Sequence, residues 1–448
     1  MRILCGRLAR SRDAAGMTLI EVLVAMLIFA LVSTGIIYTM LSTLTITRDS
    51  RARQVASNLA AQQIDLSRDA KDLFLLVDND HDVTLNGDTF HVHTSTQWVS
   101  DPDLEFSCGA GGGALRYKRV NVTVTWDNMR SVTNPVRSDT VIDPKVRIND
   151  PTKGTILVSV LNAVGTGVAG VTVATSPSTG TVIAPTDAQG CTYILKANPG
   201  AYTVTVSGTG YRDGNQNATA STSVSVTMGT SSSAGFLYDK AATFTTHLAT
   251  TFTPGPGVTL RVPTDMKISF WNTYGIYSQT PTGGAGTATQ TFPLHPYPSG
   301  YQVYAGACDR GEPGYWESVP DAGGTLEGVR GDAVSGPPGG TASVDVPMGI
   351  VTIAAGGSGN FLRAERVTIV PADACTEVLH FGSVLGASPT TIALPYGAWK
   401  LYRGTSAGAA GSQITAGSIS APVPAVPERT TIAADGTVTL DPRVVVAP

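Results

Sequence analysis

The sequence predicts an α+β chain: a long N-terminal helix, an antiparallel β head, and then several all-β sandwich modules. Three observations carry this. Val22 to Thr47 is a run of 26 residues without a charge. From about Val83 the apolar period changes from the three-to-four spacing of a helix to the two of a strand. Beyond residue 150, short Val, Thr and Ile runs alternate with turns, in a 448-residue chain with 49 Gly, 27 Pro and only 14% charged residues. That composition suits many short strands and leaves too little Lys, Glu and Leu for a large helical bundle. A net charge of −4 without a basic block argues against a dedicated nucleic-acid or anionic-lipid surface.

The first element begins with residues 1–16, where Arg2, Arg7, Arg10 and Arg12 face one acid, Asp13. The apolar run that follows is about 39 Å long as a helix at ~1.5 Å per residue, enough to cross a bilayer. Its positive flank stays in the cytoplasm. A cleaved secretory signal has a shorter apolar region ending in an A-x-A-like site, and none follows here. An uncleaved anchor explains the run but neither Gly16, just before it, nor Glu21, inside it. An ionisable group within a spanning helix is costly and marks function.

Gly16-Met17-Thr18-Leu19-Ile20-Glu21-Val22-Leu23 resembles the class III signal of type IV prepilins and pseudopilins. The resemblance implies that a membrane prepilin peptidase cuts between Gly16 and Met17 and that Met17 is then methylated. Met17 stands where the family most often has Phe, a departure common among minor pilins. The resemblance also gives Glu21 an assembly role. In a filament its carboxylate meets the α-amine of Met17 on a neighbouring subunit, so that two buried charges neutralise each other. Ala52, Val55, Ala56, Leu59, Gln63, Leu66, Ala70 and Leu73 continue the helix as an apolar stripe that packs on a sheet, opposite a charged face. The expected organisation is a leader at 1–16 and a pilin helix at 17–72, membrane-spanning over 17–41. A β head and linker fill 73–150.

Within the head, Val83–Leu85, a turn at Asn86-Gly87-Asp88 and Phe90–Thr94 read as a hairpin, and Tyr117–Trp126 as a strong alternating strand. Asp78-Asn79-Asp80-His81-Asp82 has the spacing of the start of a calcium loop. However, Val83 replaces its glycine and Thr89 its closing Glu, so it reads as a solvated acidic turn. His91 and His93 share a strand face but have no Cys or third His near them in sequence, and read as exposed strand residues. No metal or cofactor is expected.

Residues 151–245 run through Thr155–Val160, Val168–Val173, a turn at Thr186–Gly190, Tyr193–Leu195 and Pro199–Val206. This order resembles the carboxypeptidase regulatory-like domain, a small structural β-sandwich without peptidase chemistry. A Lys–Asn isopeptide staple is disfavoured, because residues 151–240 contain no Glu. Two further β units are expected at 246–335 and 336–448, divided at the Gly-rich 331–340. Trp271, Tyr274, Tyr277, Tyr297, Tyr301, Tyr304, Tyr315 and Trp316 cluster there. They read as core, with a recognition surface as the alternative.

Removing the leader takes Cys5 and leaves four cysteines. Cys308 pairs with Cys375 within the C-terminal region, and Cys108 with Cys191 between head and sandwich; free buried thiols are the alternative. No catalytic motif is present, and the reading is non-enzymatic. The expected function is a minor type IV pilin or pseudopilin at the tip of, or within, a cell-surface filament. Its partners are the prepilin peptidase, other pilins and the inner-membrane assembly platform, with the head extracellular or periplasmic. The alternatives are an adhesin on a pilin anchor that binds a surface ligand, and a pseudopilin of a type II secretion system.

Overall fold

A computed structural model describes residues 18–446, except 86, 101–103, 107, 109–112, 114, 128, 130–133, 145–149, 322, 369–374, 410 and 427–428. The chain is α+β: one long helix, then strands in several sheets. By contacts it separates into two compact units, residues up to Gln97 with Tyr117–Asp143, and Trp98–Arg116 with everything from Pro144 onward.

In the first unit, α1 (Leu19–Arg68) packs on a sheet of order β1-β2-β4-β5, formed by β1 (Asn79–Leu85), β2 (Asp88–Ser100), β4 (Leu115–Trp126) and β5 (Val136–Ile142). The short β3 (Leu104–Phe106) pairs with the end of β2. The helix buries Ala52, Ala56, Ala60, Ile64 and Ser67. Small residues at i, i+4 spacing let the helix axis approach the sheet closely. The expected stripe is therefore corrected: Ala60, Ile64 and Ser67 join it, and Leu66 is 60% exposed. The helix ends at Arg68 rather than at 72. Beyond it, the Asp72 carboxylate accepts the Phe74 N–H at 2.9 Å, a local bond that competes with helix continuation.

Strands β2 and β4 alternate cleanly. Phe90, Val92, Val120, Val122, Val124 and Trp126 face the core. The hairpin pairs Leu85 with Asp88, and Gly87 before the second strand lies at φ +85°. The acidic stretch expected as a solvated turn is strand instead, because β1 begins at Asn79. Lys118 is fully buried on the core face, and its ammonium donates to the carbonyls of Leu73 (3.1 Å) and Leu76. It thus ties the segment after the helix to the sheet. Lys118→Ala strips donors from buried carbonyls and opens a cavity, lowering stability by about 3 kcal/mol. Denaturant unfolding of the two proteins in the same detergent measures this.

The second unit opens with a seven-stranded sandwich built from β6 (Gly154–Leu161), β7 (Thr172–Ser176), β8 (Cys191–Ala197), β9 (Gly200–Ser207), β10 (Tyr211–Asp213), β11 (Thr219–Val226) and β12 (Ser231–Lys240). One sheet has the order β10-β12-β6-β8 and the other β11-β9-β7. Ile156, Val158, Ile194, Val204, Val206 and Tyr238 fill the space between them. The Tyr238 hydroxyl donates to Ala218 O (2.6 Å) and accepts from Gly208 N (2.8 Å), so the buried phenol keeps both partners. The turn before β8 requires glycine. Gly190 lies at φ +76°, and a Cβ there would sit 2.1 Å from Val160 O.

Trp98–Arg116 belong to this unit rather than to the first. Cys108 is bonded to Cys191, with Cα atoms 5.1 Å apart, and Gly113 O accepts the Ser231 N–H at 3.1 Å.

Across the division expected at 335/336, strand Ala242–Leu248 pairs in parallel with Thr341–Val346 and antiparallel with Thr289–Leu294. One core runs from Ala242 to Leu440, with Phe270 and Phe292 on one side of that division and Val351 and Trp399 on the other. Cys308 is bonded to Cys375 within this region. Tyr297, Tyr301, Tyr304 and Trp316 are buried, whereas Tyr274 and Tyr315 are exposed.

A polar knot joins the sandwich to this core. Gln216 donates to the Tyr301 hydroxyl (2.9 Å) and accepts the His295 N–H (2.7 Å); Tyr301 donates to His295 O (2.6 Å). His295 is fully buried, its Nδ1 at 3.0 Å from Arg212 O and its Nε2 without a hydrogen-bond partner among the described residues. Burial holds its pKa below the ordinary 6.5, against the weaker pull of the Arg212 carbonyl, Asp239 and Asp213. The folded unit therefore binds fewer protons than the unfolded chain just below pH 6.5. Stability is full above that pH and falls with acid until the folded pKa is reached, at up to about 1.4 kcal/mol per pH unit. Unfolding midpoints between pH 7.5 and 5.5 should fall less steeply in His295→Gln.

Candidate functional site

Residues 1–17, and with them Gly16 and Met17, lie outside the described residues. What is described is the start of the helix they lead into. Thr18 is the N-cap, extended at φ −76°, ψ 147°, and its carbonyl accepts the N–H groups of Glu21 (3.0 Å) and Val22 (3.3 Å). Glu21 is thus the third helical residue, exposed, and the acid of the first turn. The positive end of the helix dipole favours a carboxylate there. Thr18 and Glu21 also have the spacing of a capping box, a signal the sequence reading passed over, but the Thr18 side chain makes no cap bond.

From Leu19 to Ile46 the helix presents apolar side chains all round. Leu19 is 82%, Phe29 75% and Tyr38 75% exposed, so no one face is set aside for a partner within the chain. Five threonines along this part of the helix turn their side chains inward on the helix itself. The hydroxyls of Thr34, Thr39, Thr43, Thr45 and Thr47 each donate to a carbonyl three or four residues earlier, at 2.8 Å. That is how hydroxyls are accommodated in lipid, where no water satisfies them. Glu21 is then the one charged side chain of the apolar stretch. Such a helix is long and apolar enough to cross a membrane.

Past Thr47 the helix changes character. Arg48 pairs with Asp88, and the Arg68 guanidinium donates to the Thr140 hydroxyl of β5 at 2.9 Å. These contacts fix the second half of the helix to the head and leave the first half uncovered.

A family model described as the prokaryotic N-terminal methylation motif matches residues 11–37. No curated protein matches the chain. Among solved structures, the Bacillus anthracis TIE protein is 12% identical, over 74% of this chain and 69% of that one, with a TM-score of 0.21. A streptococcal ancillary pilin is 9% identical, over 57% and 81%, with a TM-score of 0.21. A variant of the major pilin subunit of Bacillus cereus is 11% identical, over 64% and 92%, with a TM-score of 0.17. At such TM-scores these three likenesses carry no argument; the motif and the helix do.

Proposed function

We propose that this chain, whose N-terminus is that of a type IV prepilin, is a minor pilin or pseudopilin. It is cut between Gly16 and Met17, methylated on Met17 and inserted in a filament. The observation that supports this most is the pairing of the methylation motif at 11–37 with a helix whose first half has no partner among the described residues of its own chain. An all-round apolar helix is stable in a bilayer and again among like helices, so it serves both as membrane anchor and as filament core. Glu21 pairs there with the Met17 amine of a neighbour. The prepilin peptidase, other pilins and the inner-membrane assembly platform are the partners. The role is structural rather than enzymatic.

The second unit favours a place at the tip or as an occasional subunit, because a mature chain of about 430 residues carries far more than a shaft subunit needs. In this reading the 154–240 sandwich is a spacer of the carboxypeptidase regulatory-like kind, and both disulfides form outside the cytoplasm. Intact-mass and N-terminal analysis of membrane-extracted protein tests the processing step. The expected chain starts at a methylated Met17. A chain starting at Met1 in cells with active prepilin peptidase overturns the reading.

A further inference from the structure

A cavity of about 590 Å³ opens where α1 passes from its uncovered half to the half that packs on the head. That is within the ~300–1,000 Å³ of small-ligand clefts. On the helix side Leu44, Arg48, Arg51 and Val55 recur at steps of three and four residues and so share one face. Opposite them stand Leu85 and Asp88 of the β1–β2 hairpin. The apolar stretch below sets the height of this cavity. The 28 residues from Leu19 to Ile46 are about 42 Å long as helix at ~1.5 Å per residue, close to the ~40–45 Å of a bilayer with its headgroup regions. Arg48 is the first charged residue after Glu21. In a spanning helix it stands at headgroup level, on the side away from the cytoplasm.

We propose that this cavity takes the phosphodiester of one glycerophospholipid from the leaflet facing away from the cytoplasm. The acyl chains run down the helix along Leu44, Leu41 and Ile37, exposed apolar residues on the same face. The charges fit a single anion. Arg48 is paired with Asp88, which cancels one charge and holds the guanidinium in place. Arg51 is exposed and makes no ion pair or hydrogen bond among the described residues. The cavity wall therefore carries one positive charge in excess, as one phosphodiester requires. Arginine suits that group because its planar fork of N–H donors matches phosphate oxygens. Arg48 can share the phosphate, since a guanidinium has five N–H donors and the Asp88 bond engages its Nη2. The chain's net charge of −4 argues against a broad basic surface, but one phosphodiester needs only one uncompensated guanidinium. A free phosphate would satisfy Arg51 but leave Leu44, Val55 and Leu85 facing water, whereas a diacyl lipid covers them. The site presupposes that the helix spans the bilayer. Such a lipid ties the head to the membrane surface before assembly.

The test is native mass spectrometry of the full chain, purified in a delipidating detergent and titrated with dioleoylphosphatidylglycerol. The expected result is an adduct that saturates at one lipid per chain. Dioleoylglycerol, which has the chains without the phosphate, should bind at least about tenfold more weakly. Inorganic phosphate in excess, which has the charge without the chains, should not displace the lipid. Arg51→Ala should weaken lipid binding about 10- to 100-fold, the range for a hydrogen bond to a charged group. Arg51→Lys, which keeps the charge but not the fork, should recover part of it. Arg53→Ala removes an equally exposed arginine outside the cavity and should leave binding unchanged. Unaltered thermal unfolding of these variants shows that the exposed substitutions leave the fold intact. Equal binding of dioleoylglycerol, displacement by inorganic phosphate, or undiminished binding to Arg51→Ala overturns the proposal. Alkaline carbonate extraction of cell membranes reports on the helix separately. A chain that resists extraction but takes up no lipid loses only this site, whereas a chain that is extracted loses the membrane reading as well.

Discussion

On the proposed processing, Gly16→Val should leave the chain uncut. A peptidase acting at the membrane face must bring the backbone of residues 16 and 17 against its catalytic groups. Glycine allows that approach because it has no Cβ. Valine adds two methyl groups and a stiff χ1 directly at the scissile bond. A displacement of about 1 Å at a reacting centre costs roughly 100-fold in rate, and Val imposes at least that. The measurement is the ratio of full-length to shortened chain in the membrane fraction, by intact mass. Gly16→Ala, with a single methyl, should give an intermediate ratio. Normal shortening in Gly16→Val would place the cut elsewhere and remove the link between the motif and processing. Uncut protein should still be membrane-bound, because the apolar stretch from Leu19 to Ile46 is untouched.

What the sequence discloses here depends on how local the determining interactions are. The helix is legible because its signals lie within one or two turns: an uncharged run, a single acid and then a stripe of alanines. Even so, the stripe drawn from the sequence took Leu66 over Ile64. Hydrophobicity alone does not say which side of an amphipathic helix meets the sheet, and the close approach at Ala52, Ala56 and Ala60 decides it. The sandwich strands are legible for the same local reason, since turns such as the one at Gly190 punctuate them. The excursion from Trp98 to Arg116 is different. Its membership of the second unit rests on a bond between residues 83 apart in sequence and on Gly113 meeting Ser231. The pairing of Thr243 with Thr341, across a Gly- and Pro-rich stretch that reads as a linker, is equally non-local. The Asp–His pairs of the β1–β2 hairpin fall between these cases. The residues stand out in the sequence, but only the register reveals that Asp80 and Asp82 face the two histidines.

Glu21→Ala should remove the chain from filaments while leaving it cut and membrane-inserted. In the proposed processing, cleavage depends on Gly16 and the apolar run, and both remain. The proposed assembly is different, because burying the Met17 amine of a neighbour would require a countercharge. Removing one partner of a buried pair costs about 3–5 kcal/mol, since the other charge is left uncompensated. At 1.4 kcal/mol per factor of ten, incorporation falls at least about 100-fold. Co-purification with sheared filaments or with partner minor pilins measures it. The capping-box spacing of Thr18 and Glu21 offers a competing role, in which the acid merely closes the helix start. Glu21→Gln separates the two. Glutamine keeps the hydrogen-bonding ability of a third-position cap but carries no charge. If Glu21 acts as a cap, Gln restores incorporation and only Ala fails. If it acts as a counter-ion, Gln fails with Ala, because a neutral amide leaves the neighbour's ammonium unneutralised in a low-dielectric core. Full incorporation of both variants would remove Glu21 from assembly, and the filament reading would then rest on the cleavage motif and the uncovered helix alone.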